Sequence, residues 1–250
     1  MLTEQRKRHL LAVLAQMGRI VAKDVAAELG LSEDTIRRDL RELASEGQLQ
    51  RVHGGALPTS PATGTLETRR EIFPTEKIAI GRHAATMVLP GQTIFIDGGT
   101  TAIQLANHLD RDMRATIVTH SPLVAAALAG HAVDVILLGG RLFKHSMVTM
   151  GVVTLQAIRD IRPDIFFMGV TGVHPLEGLT TGDSEEAGIK RAIADISAEL
   201  VVMASSEKIG AASPFVIASV DRADVLIIPS SASGDVADRL ATLGIDVRRV

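Results

Sequence analysis

Apolar positions in the first 58 residues keep helical spacing, whereas from about residue 75 short continuous apolar runs alternate with helical stripes. In residues 3–17, Leu10, Leu11, Val13, Leu14 and Met17 fall on one side of a helix. Residues 22–29 give a short second helix that ends at Gly30. A third begins after Ser32, whose hydroxyl suits the free N–H groups of a first turn, and Glu33 and Asp34 suit the positive end of its dipole. Ile36, Leu40, Leu43 and Ala44 form its apolar stripe, and Thr35, Arg37, Arg38 and Arg41 occupy its other faces. Gly47 stops it. Gln48 to Val52 reads as a strand and His53-Gly54-Gly55 as the tight return of a hairpin.

Further along, strands are expected at 93–97, 115–119, 134–139, 164–170, 199–204 and 225–229, with helices at 75–88, 101–109, 122–130, 152–161 and 184–196. These strands are apolar throughout rather than alternating, as in sheets covered on both faces. Short βα alternation predicts a doubly wound, mostly parallel α/β domain over residues 75–250. Residues 3–58 form a separate winged helix-turn-helix domain on this reading. Between them, residues 59–74 are rich in Pro, Ser and Thr, lack sustained periodicity, and read as a linker.

Composition narrows the class. With 46% hydrophobic and 22% charged residues, the chain has the makings of a large core and little disorder. It has no cysteine, which excludes disulfides and thiolate metal sites. No apolar run reaches the roughly 18 residues of a membrane span, and the N-terminus is charged rather than signal-like. A cytoplasmic protein with no membrane partner is the expectation. Residues 1–58 hold 9 Lys and Arg against 8 Asp and Glu, so that segment is not broadly basic.

A short helix, a glycine turn, an arginine-bearing helix and a hairpin wing follow one another in the order of a DNA-reading module. Arg37, Arg38 and Arg41 suit guanine edges or phosphates in a major groove, with Ser32 and Thr35 beside them at the helix start. Arg51 and His53 on the wing suit the flanking backbone of double-stranded operator DNA. With so little net charge, one module binds weakly, and a homodimer or homotetramer is implied.

Polar residues of the α/β domain gather at strand ends, where ligands of such sheets bind. Asp97-Gly98-Gly99-Thr100-Thr101 ends one strand and opens a helix whose N–H groups suit a phosphate. Thr119 and Ser121 end the next, Gly140 and Arg141 follow a third, Thr181 lies in a loop over 178–183, Lys190 on the helix after it, and Lys208 beyond another strand. Small donors and several cations around one edge suit a phosphorylated sugar or sugar-alcohol effector. A glycine turn with a threonine cap accounts for 98–101 equally well.

The blocks Thr35-Ile36-Arg37-Arg38-Asp39-Leu40 and Arg51-Val52-His53-Gly54-Gly55-Ala56 resemble those of the DeoR family of bacterial transcriptional regulators. The resemblance continues through DGGTT at 97–101, LGGRL at 138–142 and GLTTGDSEEAGIKRA at 178–192. It implies a sugar-phosphate-sensing domain of the fold shared with ribose-phosphate isomerase and glucosamine-phosphate deaminase. The family usually reads Thr-Asn-Ser where this chain has Thr119-His120-Ser121. It reads Asp-Ser-Ser-Lys where this chain has Ser205-Ser206-Glu207-Lys208. The usual late Asp is also replaced, around Pro229-Ser230.

The eight histidines show no ligand spacing, so no metal site is expected, and no cofactor. Asp183, Glu185 and Glu186 suit a helix's first turn better than an acid–base pair. Two functions are left, a regulator (most often a repressor in that family) and a sugar-phosphate isomerase with a DNA-binding appendage. The rough alignment places Lys190 where those isomerases carry their carboxylate base, which favours sensing over catalysis.

Overall fold

The computed structural model describes residues 2–232 and 235–250. Its first unit comprises α1 (Thr3–Met17), β1 (Ile20–Val21), α2 (Ala22–Leu29), α3 (Glu33–Ser45), β2 (Gln50–Val52) and β3 (Gly55–Leu57). Leu10, Leu14, Val25, Ile36, Leu40 and Leu43 bury the helices' apolar stripes together. The hairpin gains a third strand the sequence reading lacks, because β1 pairs antiparallel with β3 through Ile20 opposite Ala56. Beneath α3, Asp39 is fully buried and takes a two-pronged ion pair from Arg6 of α1, including Nη2 to Oδ1 at 2.9 Å. That pair staples two helices at the point where an unpaired buried carboxylate would be costly.

The stretch 59–74, read as a linker, carries two short helical segments. Pro61–Thr63 forms a turn of 3-10 helix, and α4 (Leu66–Glu71) is capped by the Thr65 hydroxyl. The chain then enters α5 (Pro74–Ala85) through Phe73, which has φ 45. Thr59 bridges to Ala212, tying this stretch to the second unit.

That unit continues with β4 (Thr93–Ile96), α6 (Thr100–His108), β5 (Thr116–Thr119), α7 (Pro122–Ala127) and β6 (Asp134–Leu137). Next come β7 (Arg141–Phe143), β8 (Val148–Met150), α8 (Val152–Arg159), β9 (Ile165–Gly169), β10 (Gly172–His174), β11 (Gly178–Thr181) and α9 (Ser184–Ile196). It closes with β12 (Glu199–Met203), β13 (Phe215–Ala218), β14 (Val225–Ile228), α10 (Asp235–Ala241) and β15 (Asp246–Arg249). Seven parallel strands form the main sheet in the order β15-β14-β12-β9-β4-β5-β6.

Alternate residues of its central strands serve opposite faces. Phe95, Phe166, Leu200 and Leu226 pack under α8, α9 and α10, whereas Ile94, Phe167, Val201 and Ile227 pack under α5, α6 and α7. The expectation of a doubly wound sheet with both faces covered holds for these strands. At the edge, β6 departs from it, with Ile136 and Leu137 each 47% exposed. Residues 178–183, read as a loop, contain β11, which joins β10 and β13 in a small antiparallel sheet. The β7–β8 hairpin and the final α10–β15 pair also went unread.

Candidate functional site

Two surfaces collect the residues singled out from sequence. On α3, Ser32 accepts a hydrogen bond from Thr35 N–H at 3.2 Å and lies 2.9 Å from the Thr35 hydroxyl, so both hydroxyls sit at the helix start. Arg37, Arg38 and Arg41 are exposed on the helix, and Arg51 and His53 on the wing. Arg38 and Arg41 point into solvent, while Arg37 pairs with Glu33 one turn back at 2.7 Å. An exposed pair of this kind is worth only a few tenths of a kcal/mol, about 0.3–0.5, and yields readily to a phosphate.

The second surface lies where strand order reverses, because the chain runs from β4 outward to β5 and β6 and then returns to place β9 on β4's other side. A crevice opens beyond the carboxyl ends of β4 and β9 at such a point. Gly98, Gly99, Thr100, Thr101, Thr181, Lys190 and Lys208 line it together with Arg69, Lys77, Glu186 and Glu207. Gly98 is required by crowding, since a Cβ there would stand 2.2 Å from Val148.

Asp97, expected to contact the effector, lies buried beneath these residues and does not itself line the crevice. Its Oδ1 accepts from Gly98 N–H and faces His120 Nε2 at 2.9 Å, and its Oδ2 accepts from Gly169 N–H at 2.8 Å and from Lys190. Burial works against its charge, but Lys190 and His120 hold the carboxyl well below the usual range. Above it, burial drives the Lys208 amine down to about 8, with Glu207 opposing and Lys77, Arg69 and Lys190 adding to the shift. Arg69 is also lowered, first by burial, with Glu186 and Asp97 opposing.

Four expected residues lie elsewhere. Thr119 donates to the Ile96 carbonyl at 2.7 Å and Ser121 caps α7, so both hold strand ends in place. Gly140 has φ +148 and packs where a Cβ would meet Thr154 at 2.1 Å, a backbone requirement. Arg141 stands on the surface, paired with Glu185. Asp183 does cap α9, accepting from the N–H groups of Glu185 and Glu186, whereas Glu186 turns inward to accept the Thr181 hydroxyl.

Arg69 and Lys77 were missed. Lys77 carried a readable signal, a lysine on the same helical face as Ile80 and Ala84; Arg69, in a supposed linker, carried none. Two of the three departures from the family pattern are filled locally. His120 spans Asp97 and the Thr149 carbonyl, and Glu207, accepting the Ser205 hydroxyl at 2.8 Å, supplies a buried carboxylate two residues after the lost Asp.

A winged helix-turn-helix joined to a doubly wound domain with a cationic crevice at its switch point defines a DNA-binding sensor. Residues 6–61 match the DeoR-like helix-turn-helix domain, and residues 73–230 match the DeoR C terminal sensor domain. The chain belongs to the DeoR family of transcriptional regulators. It is 30% identical over 250 residues to the HTH-type transcriptional regulator GlpR of Haloferax volcanii, covering 99% of this chain and 98% of that one. It is 32% identical over 208 residues to the glycerol-3-phosphate regulon repressor of Escherichia coli K12, covering 82% of each. Ribose 5-phosphate isomerase A of Methanocaldococcus jannaschii overlays more loosely, at TM-score 0.39 and 16% identity over 56% of this chain and 54% of that one.

Proposed function

We propose that this regulator represses a carbohydrate catabolic operon, binding double-stranded operator DNA through α3 and the wing, and that a phosphorylated sugar or sugar alcohol releases it. One observation carries the effector half of this reading. Of six buried side-chain polar atoms without a partner among the described residues, three belong to residues that line this crevice: Arg69 Nε, Thr101 Oγ1 and Glu207 Oε2. Buried polar atoms are normally satisfied, and a cluster of exceptions marks groups kept for something else. A guanidinium, a hydroxyl and the free N–H groups at the start of α6 suit a phosphate, and Glu207 suits a sugar hydroxyl. The name of the Escherichia coli relative supports the phosphate.

The same geometry supports regulation over catalysis. An isomerase needs a free carboxylate beside the reacting carbon. Lys190, which the rough alignment puts near the position of the isomerase base, is engaged with buried Asp97, and the carboxylate oxygen left free in the crevice, on Glu207, comes from a different stretch of the chain.

Thermal shift tests the reading. A phosphorylated sugar should raise the Tm by binding the folded form, its unphosphorylated parent should not, and Thr100→Glu should abolish the response by placing a carboxylate in the anion's seat. Equal shifts from both sugars, or a Thr100→Glu protein that still responds, would show that residues 98–101 are only a helix cap.

Self-association supports the DNA half, since one weakly charged module needs a second copy. The edge strand β6, with Ile136 and Leu137 exposed beside an unpaired backbone edge, suits that copy. Sedimentation should give a dimer or tetramer; a monomer at micromolar concentration would remove oligomerisation from the account.

A further inference from the structure

The effector crevice is narrow. Its free cavity is about 30 Å³, room for no more than a few waters. Pockets for small molecules run from about 300 Å³ upward. On the reading of this crevice as the effector site, a wall has to move before a sugar phosphate enters.

The walls are unequal in what holds them. Those built on β4, β9, α6 and α9 rest on strands and helices packed into the two core layers. The other walls are Ser146 in the β7–β8 turn, Glu207 and Lys208 after β12, Lys77 on α5, and Ala62 and Arg69, the last two from the stretch that joins the winged helix to the sensor domain. Polar ties hold that stretch down: the Arg69 guanidinium to the His145 carbonyl at 2.7 Å, and the Lys77 amine to the carbonyls of Arg69 and Ile72. Its joint is strained. Phe73, between α4 and α5, has φ 45 and ψ 52 while its ring is 47% exposed. A bulky residue in the left-handed region is strained and persists only where neighbours enforce it.

Arg69 is itself unusual. It is 9% exposed, its Nε has no partner, and among the described residues no carboxylate makes an ion pair with it. Its Nη1 would be the nearest atom, at 4.0 Å, to a Cβ placed on Gly99, so it overhangs the turn that opens α6. A desolvated cation facing free N–H groups across a narrow crevice opposes the unliganded state and favours an anion between them.

We propose that Arg69 is an anion-contacting residue carried on the connector, and that seating an anionic effector beneath it displaces α4 and so conveys occupancy to the DNA-binding domain. A contact made to the connector alters the link between domains, which a contact made wholly within the sensor core does not. Coupling of this kind requires the effector to interact differently with the two positions of α4.

The test compares wild type, Arg69→Gln and Arg69→Lys, with exposed Arg70→Gln as control. Glycerol 3-phosphate, ribose 5-phosphate, fructose 1-phosphate and glucose 6-phosphate serve as probes, inorganic phosphate beside them, in calorimetric binding and promoter-DNA titrations. Arg69→Gln should keep or raise the unliganded Tm, lose at least tenfold in affinity for the phosphorylated probe that wild type binds, and hold DNA at probe concentrations that release wild type. Arg69→Lys should fall between, and Arg70→Gln should match wild type. Hydrogen exchange on wild type needs no variant: a saturating probe should change exchange of the amides at 66–73. Wild-type binding and release by Arg69→Gln, an unliganded Tm several degrees lower, or unchanged exchange at 66–73 overturns the inference. A wild type that no phosphorylated probe stabilises is a different result, which overturns the effector reading and this inference with it.

Discussion

Lys208 sets a pH limit on ligand binding. With its folded-state value near 8 and the unperturbed value at 10.5, the charged amine costs stability in full below about pH 8, and the cost is relieved as pH rises from 8 towards 10.5. An anionic ligand wants that amine charged, whereas a phosphomonoester reaches its dianion above about pH 6. Effector affinity should therefore be greatest between roughly pH 6 and 8 and fall as pH rises further. Calorimetry at pH 7, 8 and 9 reads this directly. Lys208→Arg, with a side chain that stays charged over that range, should bind without the alkaline fall. Affinity in the wild type that stays level from pH 7 to 9 would place Lys208 outside the contact.

At the scale of elements, α3 and the wing have different tasks. On the proposed reading Arg38, exposed on α3, enters the groove, and Arg38→Ala should cost about 1–3 kcal/mol on the preferred operator. If Arg51 on β2 contacts the backbone, as proposed, Arg51→Ala should weaken every sequence about equally and reduce the salt slope by about one. DNA titrations over a range of salt separate the two. A change of preferred sequence in Arg51→Ala, with the slope intact, would make the wing a base reader.

The same elements show what the sequence made legible. The helices of the first unit and the central strands were readable because periodicity follows burial, and burial there is one-sided or complete. The Arg6–Asp39 pair was not, since a charge inside a motif looks like a surface charge until its partner is known. The small sheet of β10, β11 and β13 escaped because its strands are short and rich in Gly and Thr, and pairing rather than pattern holds them. In the crevice, Gly98 to Thr101 and Lys208 were legible from their places after strands, and Lys190 from its helix behind the 178–183 stretch. Thr119, Ser121 and Gly140 shared those places yet support the backbone. Arg69 was hidden because α4, a six-residue helix held by the Thr65 cap and the Lys77 amine, has no periodicity long enough to read.

For the molecule as a whole, both sites are parts of one equilibrium. A repressor of this design places two recognition helices about 34 Å apart, or a multiple of it, on DNA half-sites. The effector has only to favour an arrangement that spoils this spacing, and a tenfold loss of DNA affinity takes about 1.4 kcal/mol of coupling. The narrow crevice belongs to the DNA-competent form on this account, and opening it belongs to release. The most direct measurement titrates labelled DNA from upstream of the protein's own gene, with and without saturating phosphorylated sugars and their unphosphorylated parents. The account predicts that at least one phosphorylated sugar weakens DNA binding tenfold or more while its parent leaves it unchanged. DNA affinity indifferent to every phosphorylated sugar, or equally sensitive to the parents, would contradict it.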